Sequence, residues 1–110
     1  MAYYLLEVAY TPETWKTLIK KPEDRSKSVG RAIKKAGGKL EGFWFSFGER
    51  DVITIIQMPG NIDTAALALA VAAGGAVKSL KTTPLLTVKE GLAALRKASK
   101  TSYTPPGKKG

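Results

Sequence analysis

The 110-residue chain contains no cysteine and no histidine. Without cysteine there is no disulfide framework, no thiolate ligand for zinc or an iron–sulfur cluster, and no thiol nucleophile. Without histidine the chain lacks the side chain that most often serves as a general acid, a general base or a transition-metal ligand. Any catalysis must therefore use carboxylates, amines, guanidinium groups or hydroxyls, or a metal held by oxygen ligands. We expect neither a cofactor nor a metal centre.

Long hydrophobic runs are also missing. The first apolar run, from Tyr3 to Tyr10, is interrupted by Glu7 and is too short for a signal sequence or a membrane span. A second run, from Ala65 to Ala76, is about a dozen residues long, which is the length of a buried helix and not of a spanning one. We therefore expect a cytoplasmic protein with no membrane partner.

Negative charge is scarce, because 18 lysines and arginines face 9 aspartates and glutamates and give a net charge of +9. Such an excess favours anionic partners, nucleic acid included. The basic residues are spread thinly, however, so the favoured interpretation is solubility together with a flexible basic tail over residues 99–110. Sheets that bind RNA stack bases on aromatic side chains. The run from Val52 to Ile56 is aliphatic, so nucleic acid is the least favoured partner.

Local signals organise residues 1–98 as one domain of strands and helices. Thr11 followed by Pro12 marks a helix start, and Gly37 fits the left-handed position that closes a helix. Gly48 to Asp51 form a tight connection between two strands. The predicted strands are Tyr3–Tyr10, Lys39–Phe47, Val52–Met58 and Val77–Thr83, the last extending as far as Thr87; the predicted helices are Pro12–Lys20, a second one ending at Ala36, Ile62–Ala73 capped by Asn61 or Asp63, and Val88–Ala98 with Leu92 and Leu95 inward.

This order of elements predicts an α+β fold. Strand, helix, strand, strand, helix, strand folds through right-handed crossovers into a four-stranded antiparallel sheet with helices on one face. The first and third strands then lie at the centre of the sheet, and the last helix is an addition at the C-terminal end.

Both faces of this sheet are predicted to be apolar. In the second strand, Phe43, Phe45 and Phe47 project to one side, with Trp44 and Ser46 on the other. The first and third strands show the same two-sided apolar pattern. An antiparallel sheet that is covered on one face alternates apolar with polar residues. The helices can cover one face only, so we expect the other to pair with a second copy of the chain.

The hairpin from Gly42 to Ile55 resembles the signature of the GYD-domain family. The Gly37-Gly38 entry to the second strand and the aromatic first strand ending at Tyr10 are similar to that family as well, and the resemblance extends from residue 2 to residue 95. It implies a ferredoxin-like βαββαβ fold of the dimeric α/β-barrel superfamily. In that superfamily two protomers commonly press their sheets together, the cavity between sheet and helices binds small molecules, and some members are cofactor-independent oxygenases or isomerases.

Three functions are open on these grounds. The leading one is a homo-oligomeric small-molecule-binding or regulatory module without chemistry of its own. The first alternative is a cofactor-independent enzyme of the oxygenase or isomerase type acting on a small aromatic substrate. The second is a weak nucleic-acid or anion binder. The first leads because the sequence assembles no activated nucleophile and no acid–base pair in a recognisable arrangement.

One group of candidate site residues lies on the sheet face that the helices leave open. Tyr3, Glu7, Trp44 and Ser46 combine large apolar bodies with polar tips. That combination suits a small-molecule pocket. It also suits the centre of a protein interface, where tryptophan and tyrosine are enriched. The interface interpretation is favoured, although one face can serve both purposes.

A second group is the turn formed by Gly48, Glu49, Arg50 and Asp51. Its carboxylates have the chemistry to act as acid and base or to bind a hard cation. The structural interpretation is favoured, because a turn aspartate bonds nearby backbone amides and Arg50 can pair with either acid. The tyrosine that gives the resembled family its name corresponds to Arg50, so a role of that tyrosine is not implied for this chain.

Overall fold

A computed structural model describes residues 1–108 of the chain. It confirms the predicted α+β fold, with four strands and four helices in the described residues. In chain order these are β1 (Ala2–Tyr10), α1 (Pro12–Lys20), α2 (Arg25–Lys35), β2 (Lys39–Phe45), β3 (Val52–Met58), α3 (Asn61–Ala73), β4 (Val77–Leu85) and α4 (Val88–Ala98).

The four strands form one antiparallel sheet in the order β2-β3-β1-β4. β1 and β3 occupy the centre, as the element order predicts. β2 and β4 are the edge strands, and the edge position of β4 accommodates Pro84, which has no N–H to donate to a neighbouring strand. Tyr3 pairs with Leu85 at one end of the sheet, while Val8 pairs with Val52 near the other end.

The helix boundaries follow from local chemistry. The Thr11 hydroxyl accepts a hydrogen bond from the Thr14 N–H at 3.2 Å and caps α1. The Asp24 carboxylate accepts from the Ser26 N–H at 3.0 Å and caps α2. After α2, Gly37 adopts a φ of +87°, a left-handed conformation in which a side chain would be strained.

The core lies between the helices and one face of the sheet. Ile33 of α2 is fully buried against Tyr4, Leu6, Ile56 and Met58, which all project from β1 and β3 to the same face. We call this the inner face. Residues paired across β1 and β3 alternate between the inner face and the opposite one, which we call the open face because Tyr3, Leu5, Ile53 and Ile55 remain partly exposed there.

Some predicted boundaries are wrong, among them the end of β4, which lies at Leu85 and not at Thr87. β2 ends at Phe45 and not at Phe47, and one further hydrogen bond, from the Ser46 N–H to the Asp51 carbonyl at 2.8 Å, leads into the loop. As a result Phe47 is 98% exposed and does not share the inner face. α3 takes neither predicted side-chain cap and follows Gly60 directly. The Asn61 side-chain oxygen instead accepts from the Tyr4 hydroxyl at 2.5 Å.

The prediction that Leu92 and Leu95 face inward is also wrong. The side chains of α4 are exposed to 45% at Leu92 and 67% at Leu95, and α4 packs against no other element of the described residues to a substantial extent. The helical spacing identified the apolar stripe of α4 correctly, but spacing does not say which surface covers a stripe. Residues 101–108 contain no strand or helix, and residues 109–110 of the predicted tail lie outside the described residues. Within residues 1–108, no helix combines the length and the apolar character needed to cross a membrane.

Candidate functional site

A cavity lies between the inner face of the sheet and the two helices α2 and α3. α2 packs on β2 and α3 packs on β4, so the two helices stand apart and leave a space over the central strands. The cavity has a volume of about 360 Å³. Its walls are largely apolar and include Leu6, Phe43, Leu67, Ala68, Val71 and Leu80.

Polar side chains enter this cavity at a few points only. Tyr10, at the end of β1, and Arg25, at the start of α2, are neighbours at one end of it. Burial raises the pKa of the Tyr10 phenol above its ordinary value of 10.0, and the positive charge of Arg25 and its hydrogen bond oppose that rise. Ser28 and Thr54 add hydroxyls to the wall. The cavity therefore offers a neutral phenol and a cation to a ligand whose body is apolar.

Arg25 reaches this position from the first residue of α2. The first turn of a helix carries a partial positive charge and favours acidic side chains, and the first turn of α2 contains none. The guanidinium is held by the Glu23 carboxylate, at 3.7 Å, and is partly exposed. Arg25 therefore places a positive charge at the positive end of the helix dipole, which is unfavourable. This placement is visible in the sequence and could have marked Arg25 as a site residue.

A network around Asp51 fixes the Tyr10 end of the cavity. One carboxylate oxygen of Asp51 accepts from the Tyr10 backbone N–H at 2.8 Å and from the Trp15 indole N–H at 3.3 Å. The backbone N–H of Asp51 donates to the Val8 carbonyl at 2.7 Å. The Trp15 ring packs edge-on against Tyr10, with centroids 5.3 Å apart. The hairpin turn thus ties the end of β1 to α1 and positions the Tyr10 ring.

The other predicted turn residues do different things. Arg50 donates to the Ser79 hydroxyl at 2.8 Å and so reaches across β1 to β4, without pairing with either turn acid. Glu49 and Gly48 are exposed, and Gly48 adopts a φ of +128°. No group of three or more acidic side chains in residues 1–108 is arranged to hold a metal ion.

The open face brings together Tyr3, Glu7 and Trp44, three of the four residues predicted there. Tyr3 and Glu7 alternate with inner-face residues on β1, and Trp44 pairs with Ile53 on β3. The fourth, Ser46, lies in the loop beyond β2. The open face is apolar at its centre, where Leu5 pairs with Ile55.

The Trp44 indole lies flat along β2 over Gly42. A Cβ atom at Gly42 would come within 2.2 Å of the ring. Glycine at this position is therefore what lets the ring fold down onto the sheet, and the side chain still remains 54% exposed. The indole therefore lies beside Ile53 and Ile55, which pair with Trp44 and Gly42.

Fold and cavity together define a ferredoxin-like α+β domain with a ligand-sized space between its sheet and its helices. The model of the GYD domain family matches residues 4–95 of the 110-residue chain. The chain therefore belongs to the GYD domain family, as the hairpin predicted. No curated protein matches the sequence.

Proposed function

We propose that the protein is a homo-oligomeric module that binds a small molecule in the cavity between sheet and helices. The cavity itself is the observation that carries this proposal. Ligand sites are concave and mostly apolar, and a few polar groups orient the ligand in them. The volume of about 360 Å³ lies at the lower end of the range found for such sites. A compact ligand of one or two rings is the size that fits.

The polar end of the cavity favours a ligand with an anionic group. The Arg25 guanidinium is a permanent cation that binds a carboxylate through charge-assisted hydrogen bonds. The Tyr10 phenol is protonated at neutral pH because its ordinary pKa of 10.0 is already well above 7 and burial raises it further, so it can donate a hydrogen bond to the same group. The ligand that we propose is therefore a small aromatic or alicyclic carboxylate.

Homo-oligomerisation is proposed on separate grounds, namely the open face. A stable monomer rarely exposes a large contiguous apolar patch. Leu5, Ile53, Ile55 and Trp44 form such a patch at the centre of a sheet whose inner face is already covered. A second copy that presents the same face would bury the patch by symmetry. Sheets that pack face to face in this way stand about 10 Å apart.

The ligand proposal is tested with 1-naphthoate, and with the neutral 1-naphthalenemethanol as its comparison. Chemical-shift perturbation in ¹H–¹⁵N spectra should map naphthoate to β1, α2 and α3. Replacing Ala68 by Phe fills the cavity and should abolish binding. Ala72→Phe is the matched control on the same helix, because Ala72 is exposed and does not line the cavity.

Charge recognition is read from the same titrations. Arg25→Gln should weaken naphthoate binding by about tenfold and leave binding of the alcohol unchanged. Equal binding of the acid and the alcohol would contradict the recognition of an anionic group. Unchanged binding to the Ala68→Phe variant would contradict binding in the cavity. The same samples also test the two alternative functions. Conversion of naphthoate would indicate an enzyme, and a salt-sensitive shift confined to lysines outside the cavity would indicate a general anion binder.

A further inference from the structure

The ligand cavity and a neighbouring groove share two residues. The groove is a shallow depression of about 520 Å³, formed by the segment 22–26 before and at the start of α2 and by Phe43 and Phe45 of β2. Arg25 and Phe43 line both the groove and the cavity. The Arg25 side chain therefore lies at the boundary between the two spaces, where groups on its groove side act on a ligand bound on its cavity side.

Glu23 lies on the groove side of Arg25. It lines the groove but not the cavity. Asp24, between the two residues, has an extended backbone with a φ of −83° and a ψ of 95°. Side chains two positions apart in an extended segment project to the same side. The local backbone thus brings the Glu23 carboxylate to the Arg25 guanidinium.

The contact between these two side chains is an ion pair without a hydrogen bond. Oε2 of Glu23 and Nη1 of Arg25 are 3.7 Å apart, beyond the range of about 2.7–3.2 Å for a hydrogen bond. The side chains are 36% exposed at Arg25 and 53% exposed at Glu23. Ion pairs that are open to solvent in this way contribute little to stability. Glu23 therefore leaves the N–H groups of the guanidinium to a second carboxylate that approaches from the cavity.

The negative charge of Glu23 acts at the polar end of the cavity as well. Together with the carboxylate of Asp51, it disfavours ionisation of the Tyr10 hydroxyl and so adds to the rise of the phenol pKa. That hydroxyl is the group that we propose to bind the ligand carboxylate alongside Arg25. A charge that disfavours a phenolate at this point also disfavours a ligand carboxylate there.

Glu23 differs from the other carboxylates near this end because it holds no part of the fold in place. Asp51 ties the hairpin to β1 and α1, and Asp24 caps α2. Glu23 caps no helix, and within residues 1–108 its one ion pair is that with Arg25. Its charge can therefore be removed without loss of a structural hydrogen bond.

We propose that Glu23 sets the specificity of the cavity by competing with the ligand for Arg25, so that the site accepts one carboxylate and discriminates against a dicarboxylate. A first carboxylate forms charge-assisted hydrogen bonds with Arg25 that the Glu23 carboxylate does not form, and it displaces Glu23 from the pair. A second carboxylate finds no further cation, because Arg25 is the only basic residue that lines the cavity in the described part of the chain. It is repelled by Glu23. This inference rests on the binding of an anionic ligand proposed above.

Replacement of Glu23 by glutamine removes the charge and keeps the size of the side chain. Titrations of the full chain with 1-naphthalenemethanol, 1-naphthoate and 2,3-naphthalenedicarboxylate at neutral pH measure its effect at three ligand charges. Glu23→Gln should leave the affinity for the alcohol unchanged and raise that for naphthoate by about fivefold. The increase should be larger for the dicarboxylate. Because Glu23 is in contact with solvent, both increases should shrink at high salt.

Glu41→Gln is the matched control. Glu41 forms an ion pair of the same length, 3.7 Å, with Lys39, and it lines neither the cavity nor the groove. The control removes the same charge from the chain, so an effect of net charge alone would appear in both variants. Its affinities for the three ligands should equal those of the wild-type chain. Circular dichroism spectra establish that both variants are folded.

Three results would overturn the inference and leave the proposed function standing. Weaker binding of naphthoate to Glu23→Gln would show that Glu23 positions the guanidinium and does not compete for it. An affinity for naphthoate equal to that of Glu41→Gln would show that the Glu23 charge does not act on the ligand. A dicarboxylate excluded equally from the wild-type chain and from Glu23→Gln would show that another feature sets the discrimination.

Failure of the proposed function itself gives a different pattern. Absence of naphthoate binding in the wild-type chain and in both variants would mean that the cavity is not a carboxylate site, and the inference about Glu23 would fall with it. Equal affinities for the alcohol and for naphthoate in all three proteins would mean that the cavity binds apolar ligands whatever their charge, which contradicts both proposals.

Discussion

Tyr10 sits where burial and charge act on one hydroxyl in opposite directions. Burial disfavours the phenolate and raises the pKa, while the Arg25 cation favours the phenolate and lowers it. The carboxylates of Asp51 and Glu23 add to the rise. Burial is the largest of these effects, so the folded chain holds the Tyr10 proton more tightly than the unfolded chain does.

This shift predicts a pH dependence of stability at the alkaline end. A group whose pKa is higher in the folded state contributes stability that is fully present below the unfolded value of 10.0 and is lost as the pH rises through the folded value. The free energy of unfolding should therefore fall above pH 10 more steeply for the wild-type chain than for Tyr10→Phe. Urea titrations from pH 8 to pH 11.5 would measure this, and parallel curves for the two proteins would contradict it.

Other site residues differ in how far the sequence could reveal them. Trp44 was predicted on the open face because strand alternation alone places it there. Its flat position over Gly42 depends on a side-chain torsion that alternation does not specify. Arg25 was missed because its partner Tyr10 is 15 positions earlier in the chain, and only the folded crossover brings the two together.

Asp51 joins three elements through one side chain, which makes it the best place to test the coupling between hairpin and cavity. Asp51→Ala removes the acceptor for the Tyr10 N–H and the Trp15 indole N–H. Leaving such partly buried donors unpaired should lower the free energy of unfolding by about 1–3 kcal/mol. Asp51→Asn keeps an oxygen acceptor and should lose less.

Urea unfolding followed by circular dichroism would measure the series. Glu49→Ala is its control, because Glu49 belongs to the same turn and is exposed. A loss for Asp51→Ala no larger than that for Glu49→Ala would show that the network does not stabilise the fold.

Secondary structure could largely be predicted from local signals, because caps, glycines and prolines act within a few residues. Pro12, Gly37 and the 52–58 strand were placed correctly on that basis. The end of β2 was not, because Phe47 continues the alternating aromatic pattern of the strand in the sequence although it lies in the loop. The cavity was expected only from the resemblance, because its width is set by the separation of α2 and α3, which no periodicity encodes.

Within residues 1–108, the open face and the α4 stripe are apolar surfaces that no other described element covers to a substantial extent. In the arrangement that we propose, the open faces of two copies form the centre of one dimer. Sequence pattern indicated that the open face needs a partner, since both sides of the strands are apolar. It assigned the α4 stripe to the same chain, because a stripe carries no information about the identity of the chain that covers it.

The open face is tested by Ile55→Asp, which places a charge at the centre of the proposed interface. Ile55 pairs with Leu5 on β1 and with Gly42 on β2, and its side chain is only partly buried in the single chain. The variant should therefore fold. A carboxylate buried without a partner between two sheets is strongly unfavourable, so Ile55→Asp should sediment as a monomer at concentrations where the wild-type chain is a dimer.

Ile19→Asp makes the same substitution at a residue of α1 that is 75% exposed, and it should remain dimeric. A dimeric Ile55→Asp variant with a wild-type circular dichroism spectrum would rule out pairing through the open faces.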